Sequence, residues 1–289
     1  MKSNILVLEP VSRTVSLALS LKKVLLDVKT KYQHVQIVEI EEFGRTLILD
    51  GLIQCAEADE YLYHESLVHP VMTTHPKPKK VLIIGGGDGG ALREVLKHNL
   101  VEEVVLVDID GELVEIAKKY LEVIHRGSFN DPRSKVVIMD GFKFIEESND
   151  QYDVVILDLT DPHGPEIAKA LYSKEFYSRL RSRLYDDGVI VTQSGNSFFF
   201  PNTYGRTVSN VRQVFNIVRE YSVWVPSFGY ACNFILASNS YDPVKLSMYE
   251  VNERLRVRNV STSYYNGEVH EMFMRSPVIY NRFSVYVDL

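Results

Sequence analysis

Acidic side chains that follow apolar segments are the first sign of chemistry in this sequence. Asp88 lies inside the glycine-rich segment GGGDGG (85–90), and Asp108 ends the next apolar run. At this spacing of about 20 residues, an acidic side chain can accept hydrogen bonds from both hydroxyls of a ribose. Asp140-Gly141 ends a third apolar run and could contact adenine. Together these residues favour a ligand that contains adenosine.

Asp88 itself argues against a dinucleotide. Two unit charges 4 Å apart interact by ~4 kcal/mol at an effective dielectric constant of about 20, so this carboxylate would repel a pyrophosphate. A cationic derivative of adenosine suits Asp88 better, and a derivative without an α-carboxylate suits it best. The same residue has a structural alternative, because an aspartate here could simply cap the helix that is predicted to begin near Ala91.

Two more aspartates, Asp158 and Asp161, occur in the segment DVVILDLTDPHGP (153–165). Asp161 precedes a proline and could be a turn residue. In a doubly wound sheet, however, ligands bind at the carboxyl ends of the strands, and both residues would lie there together with Asp88. We therefore expect an acidic pocket that selects cationic reactants.

The elements that position these residues change character near HPKPKK (75–80). Before this segment, strand-like runs alternate with turn signals, which predicts a small, mostly antiparallel β domain over residues 1–76. After it, apolar runs alternate with segments of helical periodicity, which predicts an α/β domain with a doubly wound, mostly parallel sheet over residues 77–289. The predicted strands are 35–40, 46–50 and 52–58 in the first domain, 81–84, 104–107, 135–139, 153–157 and 189–193 in the second, and an antiparallel edge at 223–226 and 233–238.

Composition limits the class of protein. The 289 residues carry a formal net charge of −6, which does not suggest a nucleic-acid-binding protein. Cys55 and Cys232 are too few for a disulfide framework and lack metal-ligand spacing, so we expect a cytoplasmic location and no metal site. The segment LALSL (17–21) lacks the cleavage pattern of a signal peptide. Because no apolar run is long enough to span a bilayer, we expect no membrane partner.

The motifs in this chain resemble those of the polyamine aminopropyltransferase (spermidine synthase) family. They occur in unbroken order over most of residues 30–195. The resemblance implies a small N-terminal β domain followed by a Rossmann-like (methyltransferase-type) doubly wound domain, in a homodimer or homotetramer. The matching segments are ILDGLIQCAEADEYLYHE (48–65), VLIIGGGDGGALREVLKH (81–98), DIDGELVEIAKKYL (108–121), DPRSKVVIMDGFKF (131–144), YDVVILDLTDPHGP (152–165) and LYSKEFY (171–177).

The resemblance also implies a role for individual residues. Asp88 is similar to the residue that holds the ammonium group of the aminopropyl donor, and Asp158 resembles the proton acceptor. The residues that resemble contacts of the acceptor amine are Tyr63, His64 and Asp161. For His64 alone, a buried, hydrogen-bonded histidine is an alternative interpretation. The residues that resemble nucleoside contacts are Gln33, Asp108, Asp140, Gly141 and Pro165, with Gln54 as a weaker candidate.

The implied reaction moves the 3-aminopropyl group of decarboxylated S-adenosylmethionine onto an amine and releases 5′-methylthioadenosine. The nucleoside is a co-substrate, so no bound cofactor and no metal are expected. Putrescine is the default acceptor, which would make the enzyme part of spermidine biosynthesis. A rival function on the same fold is an S-adenosylmethionine-dependent small-amine methyltransferase. A non-catalytic, nucleoside-binding partner subunit is a third possibility.

Three positions depart from the family members that use putrescine. Leu159 replaces a hydroxyl residue, Gly195 replaces a glutamate, and Phe228 replaces a tyrosine that often contacts the distal amine. Fewer polar groups at the acceptor end would reduce discrimination against longer amines. Agmatine and spermidine are therefore alternative acceptors, and transfer to spermidine would give spermine or thermospermine.

Overall fold

The computed structural model describes residues 5–162 and 166–281. Its N-terminal part is a five-stranded antiparallel sheet with the strands in chain order. The structure confirms the three predicted strands and adds two before them. LALSL (17–21), considered above as a targeting segment, lies within the second of these. The strands are β1 (Leu6–Pro10), β2 (Ser16–Lys29), β3 (His34–Ile40), β4 (Gly44–Leu49) and β5 (Leu52–Ala56).

A seven-stranded sheet forms the larger part of the molecule. The strands are β6 (Lys80–Gly85), β7 (Glu103–Asp108), β8 (Ser134–Ile138), β9 (Tyr152–Asp158), β10 (Leu184–Gln193), β11 (Ile217–Val225) and β12 (Tyr230–Ser238). Their order is β11-β12-β10-β9-β6-β7-β8. All neighbouring pairs are parallel except the two that involve β12. The predicted parallel sheet with an antiparallel edge is therefore confirmed.

Helices cover both faces of this sheet, so its central strands are buried on each side. The helices are α1 (Glu60–Thr74), α2 (Gly90–Leu96), α3 (Gly111–Tyr120), α4 (Glu122–His125), α5 (Gly141–Glu147), α6 (Glu166–Ala170), α7 (Lys174–Arg181), α8 (Pro201–Arg212), α9 (Met248–Val257) and α10 (Gly267–Arg275). None of the helices in the described ranges is long and apolar enough to cross a membrane.

The sequence interpretation included the residues of helix α1 in the first domain, which it predicted to be mostly β structure. Almost every side chain of α1 is buried, and the helix lies against α2 and the strands β10 and β11 of the larger sheet. Because it is covered on all sides, its apolar residues form no single stripe, and its helical periodicity is weak. The proposed division of the chain after residue 76 stays a prediction.

Candidate active site

A cavity opens at the carboxyl ends of β6, β7 and β9, where the strand order of the larger sheet reverses. Doubly wound sheets bind their ligands at this position. The N-terminal sheet closes one side of the cavity. Pro165, predicted as a nucleoside contact, lies outside the described residues. The predicted site residues that line the cavity are Gln33, Gln54, Tyr63, Asp88, Asp108, Asp140, Gly141, Asp158 and Asp161.

Glycines bring the loop after β6 close to the acidic residues that end the neighbouring strands. Gly85 has a φ of +81°, and a Cβ there would lie 2.0 Å from the backbone oxygen of Asp158. A Cβ on Gly87 would lie 2.8 Å from Oδ2 of Asp108. Only residues without side chains allow these approaches. The glycine-rich segment thus places its backbone beside the carboxylate of Asp108 and the backbone oxygen of Asp158.

Asp108 and Gln33 occupy the wall at which a ribose is predicted. Asp108 ends β7, and its Oδ1 accepts a hydrogen bond from the backbone N–H of Asp110 at 2.8 Å. Gln33, between β2 and β3, donates from Nε2 to Oδ2 of Asp110 at 2.9 Å. Burial raises the pKa of Asp108 to about 7. A ligand hydroxyl that donates to this carboxylate would favour its ionised form.

Asp140 has a structural role that does not depend on a ligand. Its Oδ1 accepts hydrogen bonds from the backbone N–H groups of Phe142 at 2.7 Å and Lys143 at 3.1 Å, which caps α5. A Cβ on Gly141 would lie 2.4 Å from Cγ2 of Ile84. Both residues line the cavity, and their contact with adenine stays a prediction.

Asp88 contacts the start of α2 and also lines the cavity. Its Oδ1 accepts a hydrogen bond from the backbone N–H of Gly90 at 2.6 Å. The N-cap position of α2 is Gly89, so Asp88 precedes the cap that the alternative interpretation assigned to it, although it accepts the first N–H of the helix. Burial opposes ionisation, but the positive charge of His64 outweighs it and keeps the pKa of Asp88 below its ordinary value. An ionised carboxylate at this position suits a cationic ligand.

Asp158 has the environment of a general base. The hydroxyl of Tyr63 donates to Oδ1 of Asp158 at 2.6 Å. The other oxygen, Oδ2, is buried and has no hydrogen-bond partner within the described ranges. Burial and the negative charge of Asp88 raise the pKa of Asp158 to about 6, although the hydrogen bond from Tyr63 lowers it. Asp158 is thus ionised at neutral pH and binds a proton more readily than an ordinary carboxylate.

Asp161 is held by side chains that the sequence interpretation did not identify. The amide of Gln193 donates to Oδ1 of Asp161, and the hydroxyl of Tyr230 lies 3.5 Å from Oδ2. Gln193 is in turn fixed by the hydroxyl of Tyr172, which donates to its Oε1 at 2.9 Å. These contacts orient a carboxylate in the cavity wall, which is what an ammonium-binding group requires.

His64 lies behind Asp88 and is not among the residues that line the cavity. Its side chain is fully buried, with Nδ1 at 2.6 Å from Oε2 of Glu60 and Nε2 at 3.5 Å from Oδ1 of Asp88. His64 is therefore a buried histidine with polar partners, as the alternative interpretation of this residue expected. Its direct contact with an acceptor amine stays a prediction.

The three departures at the acceptor end have different structural settings. Leu159 and Phe228 line the cavity, and the ring of Phe228 contacts those of Tyr63 and Tyr230. Gly195 has a φ of +72°, and a Cβ there would lie 3.2 Å from Cδ of Pro162. The absence of a side chain at Gly195 thus lets the loop that contains Asp161 and Pro162 pack closely against it. The hydroxyl of Tyr230 supplies a polar group at this end of the cavity although position 228 lacks one.

Two family models match the chain. Residues 60–247 match the spermine/spermidine synthase domain, and residues 9–57 match the spermidine synthase tetramerisation domain. The first match covers the larger sheet and the acidic cavity residues Asp88, Asp108, Asp140, Asp158 and Asp161. The chain belongs to the polyamine aminopropyltransferase (spermine/spermidine synthase) family.

Individual relatives support this membership over nearly the full length. A polyamine aminopropyltransferase of Pyrobaculum calidifontis is 52% identical over 277 residues, which cover 95% of this chain and 96% of that protein. Polyamine aminopropyltransferase 1 of Hyperthermus butylicus is 51% identical and covers 86% of each chain. A crystal structure of spermidine synthase with the transition-state analogue AdoDATO superimposes with a TM-score of 0.89 at 35% identity, covering 95% of this chain and 92% of the other.

Three more buried charged residues, Glu60, Arg93 and Glu94, lie near the site. Arg93 of α2 forms ion pairs with Glu60 and Glu94. The sequence could have indicated the contact between Glu60 and His64, because residues four apart in a helix lie on the same side of it. The pairing of Glu60 with Arg93 joins two segments 33 residues apart, and no local pattern indicates it.

Proposed function

We propose that this protein transfers the 3-aminopropyl group of decarboxylated S-adenosylmethionine to the amino group of a di- or polyamine, with putrescine as the default acceptor. The products are 5′-methylthioadenosine and the extended amine. The observation that carries the proposal is that Asp88, Asp158 and Asp161 line one cavity together with Asp108. A cavity with three carboxylates beyond a nucleoside wall suits a donor and an acceptor that are both cationic.

The amine must lose a proton before it can attack. An alkylammonium with a pKa of ~10.4 is deprotonated once in a few times ~10³ molecules at neutral pH, which corresponds to roughly 4–5 kcal/mol of the barrier. In the proposed mechanism, Oδ2 of Asp158 accepts this proton. The amine nitrogen then forms a bond to the propyl carbon next to sulfur, the C–S bond breaks, and its electron pair returns to sulfur.

The other carboxylates position the two reactants. Asp88 binds the terminal ammonium of the aminopropyl group, and its charge opposes the α-carboxylate of ordinary S-adenosylmethionine. Asp161 binds an ammonium of the acceptor, so that the attacking nitrogen is held in line with the C–S bond. Asp108 and Gln33 bind the ribose, with Gln54, Asp140, Gly141 and Pro165 as further nucleoside contacts. Tyr63 orients Asp158 and contacts the acceptor.

The acceptor is the finer part of the proposal. The lining residues Leu159 and Phe228 are apolar, which suits the methylene chain of an amine. Asp161 and the hydroxyl of Tyr230 supply polar groups at the same end. This combination supports a diamine such as putrescine and leaves agmatine and spermidine as acceptors to be compared directly.

Two further proposals concern the context of the enzyme. We propose that copies of the chain assemble as a homodimer or homotetramer, since residues 9–57 match a tetramerisation domain. A cytoplasmic location is consistent with Cys55 and Cys232, both buried and neither in a disulfide. Size-exclusion chromatography with light scattering gives the subunit number.

The test combines an acceptor panel with one variant. Purified protein is incubated with decarboxylated S-adenosylmethionine and putrescine, agmatine, cadaverine, spermidine or norspermidine, and the products are separated by chromatography. We expect 5′-methylthioadenosine and one extended amine in equal amounts. Asp158→Asn should lower kcat by ~10²–10⁴-fold, the usual contribution of general base catalysis, while methylthioadenosine affinity stays within a factor of about two.

Each outcome has a distinct meaning. Wild-type protein that transfers a methyl group from S-adenosylmethionine and no aminopropyl group would establish the methyltransferase alternative instead. Protein that binds methylthioadenosine but transfers neither group would support the non-catalytic alternative. An Asp158→Asn variant with wild-type turnover would show that another group accepts the proton.

A further inference from the structure

A buried ion-pair network extends from the cavity wall into the protein interior. We define it as Asp88, His64, Glu60, Arg93 and Glu94. The charges alternate in sign along this series, and all of the side chains except Asp88 are at most 7% exposed. Only the first residue of the network lines the cavity. Glu60, Arg93 and Glu94 can therefore influence a donor at Asp88 only through the residues between them and the cavity.

His64 is the direct neighbour of Asp88 in this network. Its Nε2 lies 3.5 Å from Oδ1 of Asp88, the same oxygen that accepts the N–H of Gly90. A Cβ on Gly90 would lie 2.3 Å from the imidazole ring, so the glycine is needed for this approach. Backbone and imidazole both act on one oxygen of Asp88. Neither contact uses Oδ2 of Asp88, and Asp88 lines the cavity.

Glu60 and Arg93 determine how the imidazole is held. Oε2 of Glu60 accepts from Nδ1 of His64 at 2.6 Å, which fixes the ring and directs Nε2 toward Asp88. The guanidinium of Arg93 makes a bidentate contact with Glu60, at 2.9 and 2.8 Å. Arg93 is fixed in turn by Glu94 at 2.7 Å and by the backbone oxygen of Ile124. Such planar two-bond pairs set orientation as well as charge.

We propose that Glu60 and Arg93 are positioning residues for the aminopropyl donor: they hold His64 against Asp88, so that Asp88 presents a fixed, ionised oxygen to the donor ammonium. This inference rests on the proposed function, because it assumes that Asp88 binds that ammonium. Within the network, a buried carboxylate without its cation would be expelled or protonated. Loss of Glu60 or Arg93 should therefore weaken the binding of the donor ammonium by Asp88. The residues that are proposed to bind the nucleoside should be unaffected.

The test uses the difference between donor and product. Decarboxylated S-adenosylmethionine carries the ammonium, whereas 5′-methylthioadenosine has the same nucleoside and lacks it. We expect Glu60→Gln and Arg93→Met to raise the donor KM by about tenfold, the effect of one charge-assisted hydrogen bond, with methylthioadenosine Kd changed less than about twofold. Arg93→Lys, which keeps the charge but loses the bidentate geometry, should fall between wild type and Arg93→Met.

Glu65→Gln is the matched control. Glu65 is also a buried carboxylate of α1, but it accepts the backbone N–H groups of Ser263, Tyr264 and Tyr265 and lies outside the network. Its replacement should lower the thermal unfolding temperature and leave the ratio of donor KM to methylthioadenosine Kd unchanged. If Glu60 and Arg93 had a purely structural role, their variants would also unfold at a lower temperature and keep the wild-type ratio of donor KM to methylthioadenosine Kd.

The outcomes separate this inference from the proposed function. Wild-type protein that transfers no aminopropyl group would remove the proposed function. Wild-type protein that transfers it but shows no preference for the donor over methylthioadenosine would remove the assumption about Asp88, and with it this inference alone. A wild-type preference that persists in Glu60→Gln and in Arg93→Lys would overturn only the positioning role. Should Arg93→Met fail to fold, these two milder variants decide the question.

Discussion

The hydrogen bond between Tyr63 and Asp158 offers a direct test of the proposed proton acceptor. Tyr63→Phe removes the hydroxyl that donates to Oδ1 of Asp158 at 2.6 Å. The phenyl ring is retained, and its contacts with the rings of Phe228 and Phe234, at 5.8 and 5.6 Å between centroids, can persist. The substitution therefore changes the chemistry of Asp158 more than the shape of the cavity.

The sign of the effect follows from which form of Asp158 the hydroxyl stabilises. Tyr63 donates to the ionised carboxylate, so it lowers the pKa of Asp158, which burial and Asp88 together raise to about 6. Without the hydroxyl, the pKa of Asp158 must rise. The acidic limb of the kcat profile, where the base becomes protonated, should then move to higher pH.

The size of the shift follows from the strength of the bond. A hydrogen bond to a charged group contributes roughly 1.5–3 kcal/mol, which corresponds to about one to two pH units. At pH 7, the ionised fraction of Asp158 would fall from about nine tenths to between about one half and one tenth. We expect kcat at pH 7 to fall by about two- to tenfold, and to return toward the wild-type value near pH 9.

The assay is the pH dependence of methylthioadenosine release at saturating concentrations of both substrates. Tyr61→Phe is the control, since Tyr61 lies on the same helix and does not line the cavity. Its acidic limb should coincide with that of the wild type. A Tyr63→Phe variant whose activity is reduced by the same factor at every pH would refute the reasoning, because Tyr63 would then act on substrate position rather than on Asp158.

Two other predictions concern the donor end of the cavity. Asp88→Asn should reduce the selectivity for decarboxylated over ordinary S-adenosylmethionine in competition binding, because a neutral amide no longer opposes the α-carboxylate; unchanged selectivity would contradict the role of Asp88. The affinity for methylthioadenosine should be highest above pH 7 and weaken as the pH falls, because the pKa of Asp108 is about 7 and only the ionised carboxylate accepts from both ribose hydroxyls. Calorimetry at pH 6 and pH 8 tests this, and equal affinities would remove Asp108 from the ribose site.

The larger sheet and the acidic cavity could be predicted because their signals are local. Apolar runs of four to five residues marked the parallel strands. Asp108 and Asp158 directly followed such runs, and Asp88 lay in the glycine-rich segment after the first one. The rule that parallel strands end at a common edge then brought Asp88, Asp108 and Asp158 together. The structure places all three in the lining of one cavity.

The supporting residues could not be predicted, because they depend on contacts between distant segments. Gln193 orients Asp161 from 32 residues further along the chain, and the contact of Arg93 with Glu60 joins α2 to α1. Helix α1 itself was hidden by its burial on all sides. Position 228 lacks a hydroxyl, as its sequence indicates, and the hydroxyl near Asp161 comes instead from Tyr230, two residues further along the chain.

The supporting residues also explain how nearby carboxylates in one cavity can have different functions. Asp88 and Asp158 interact unfavourably, and the charge of Asp88 contributes to the raised pKa of Asp158. The positive charge of His64 offsets this repulsion at Asp88, whose pKa stays below its ordinary value. The same charge also acts on Asp158, but it does not prevent the pKa of Asp158 from rising. One carboxylate therefore remains an anion that can hold an ammonium, while the other can take up a proton. Separated pKa values of this kind are what distinguish a binding group from a base. Here the low pKa of Asp88 depends on His64, which does not line the cavity, whereas the raised pKa of Asp158 comes from burial and from Asp88.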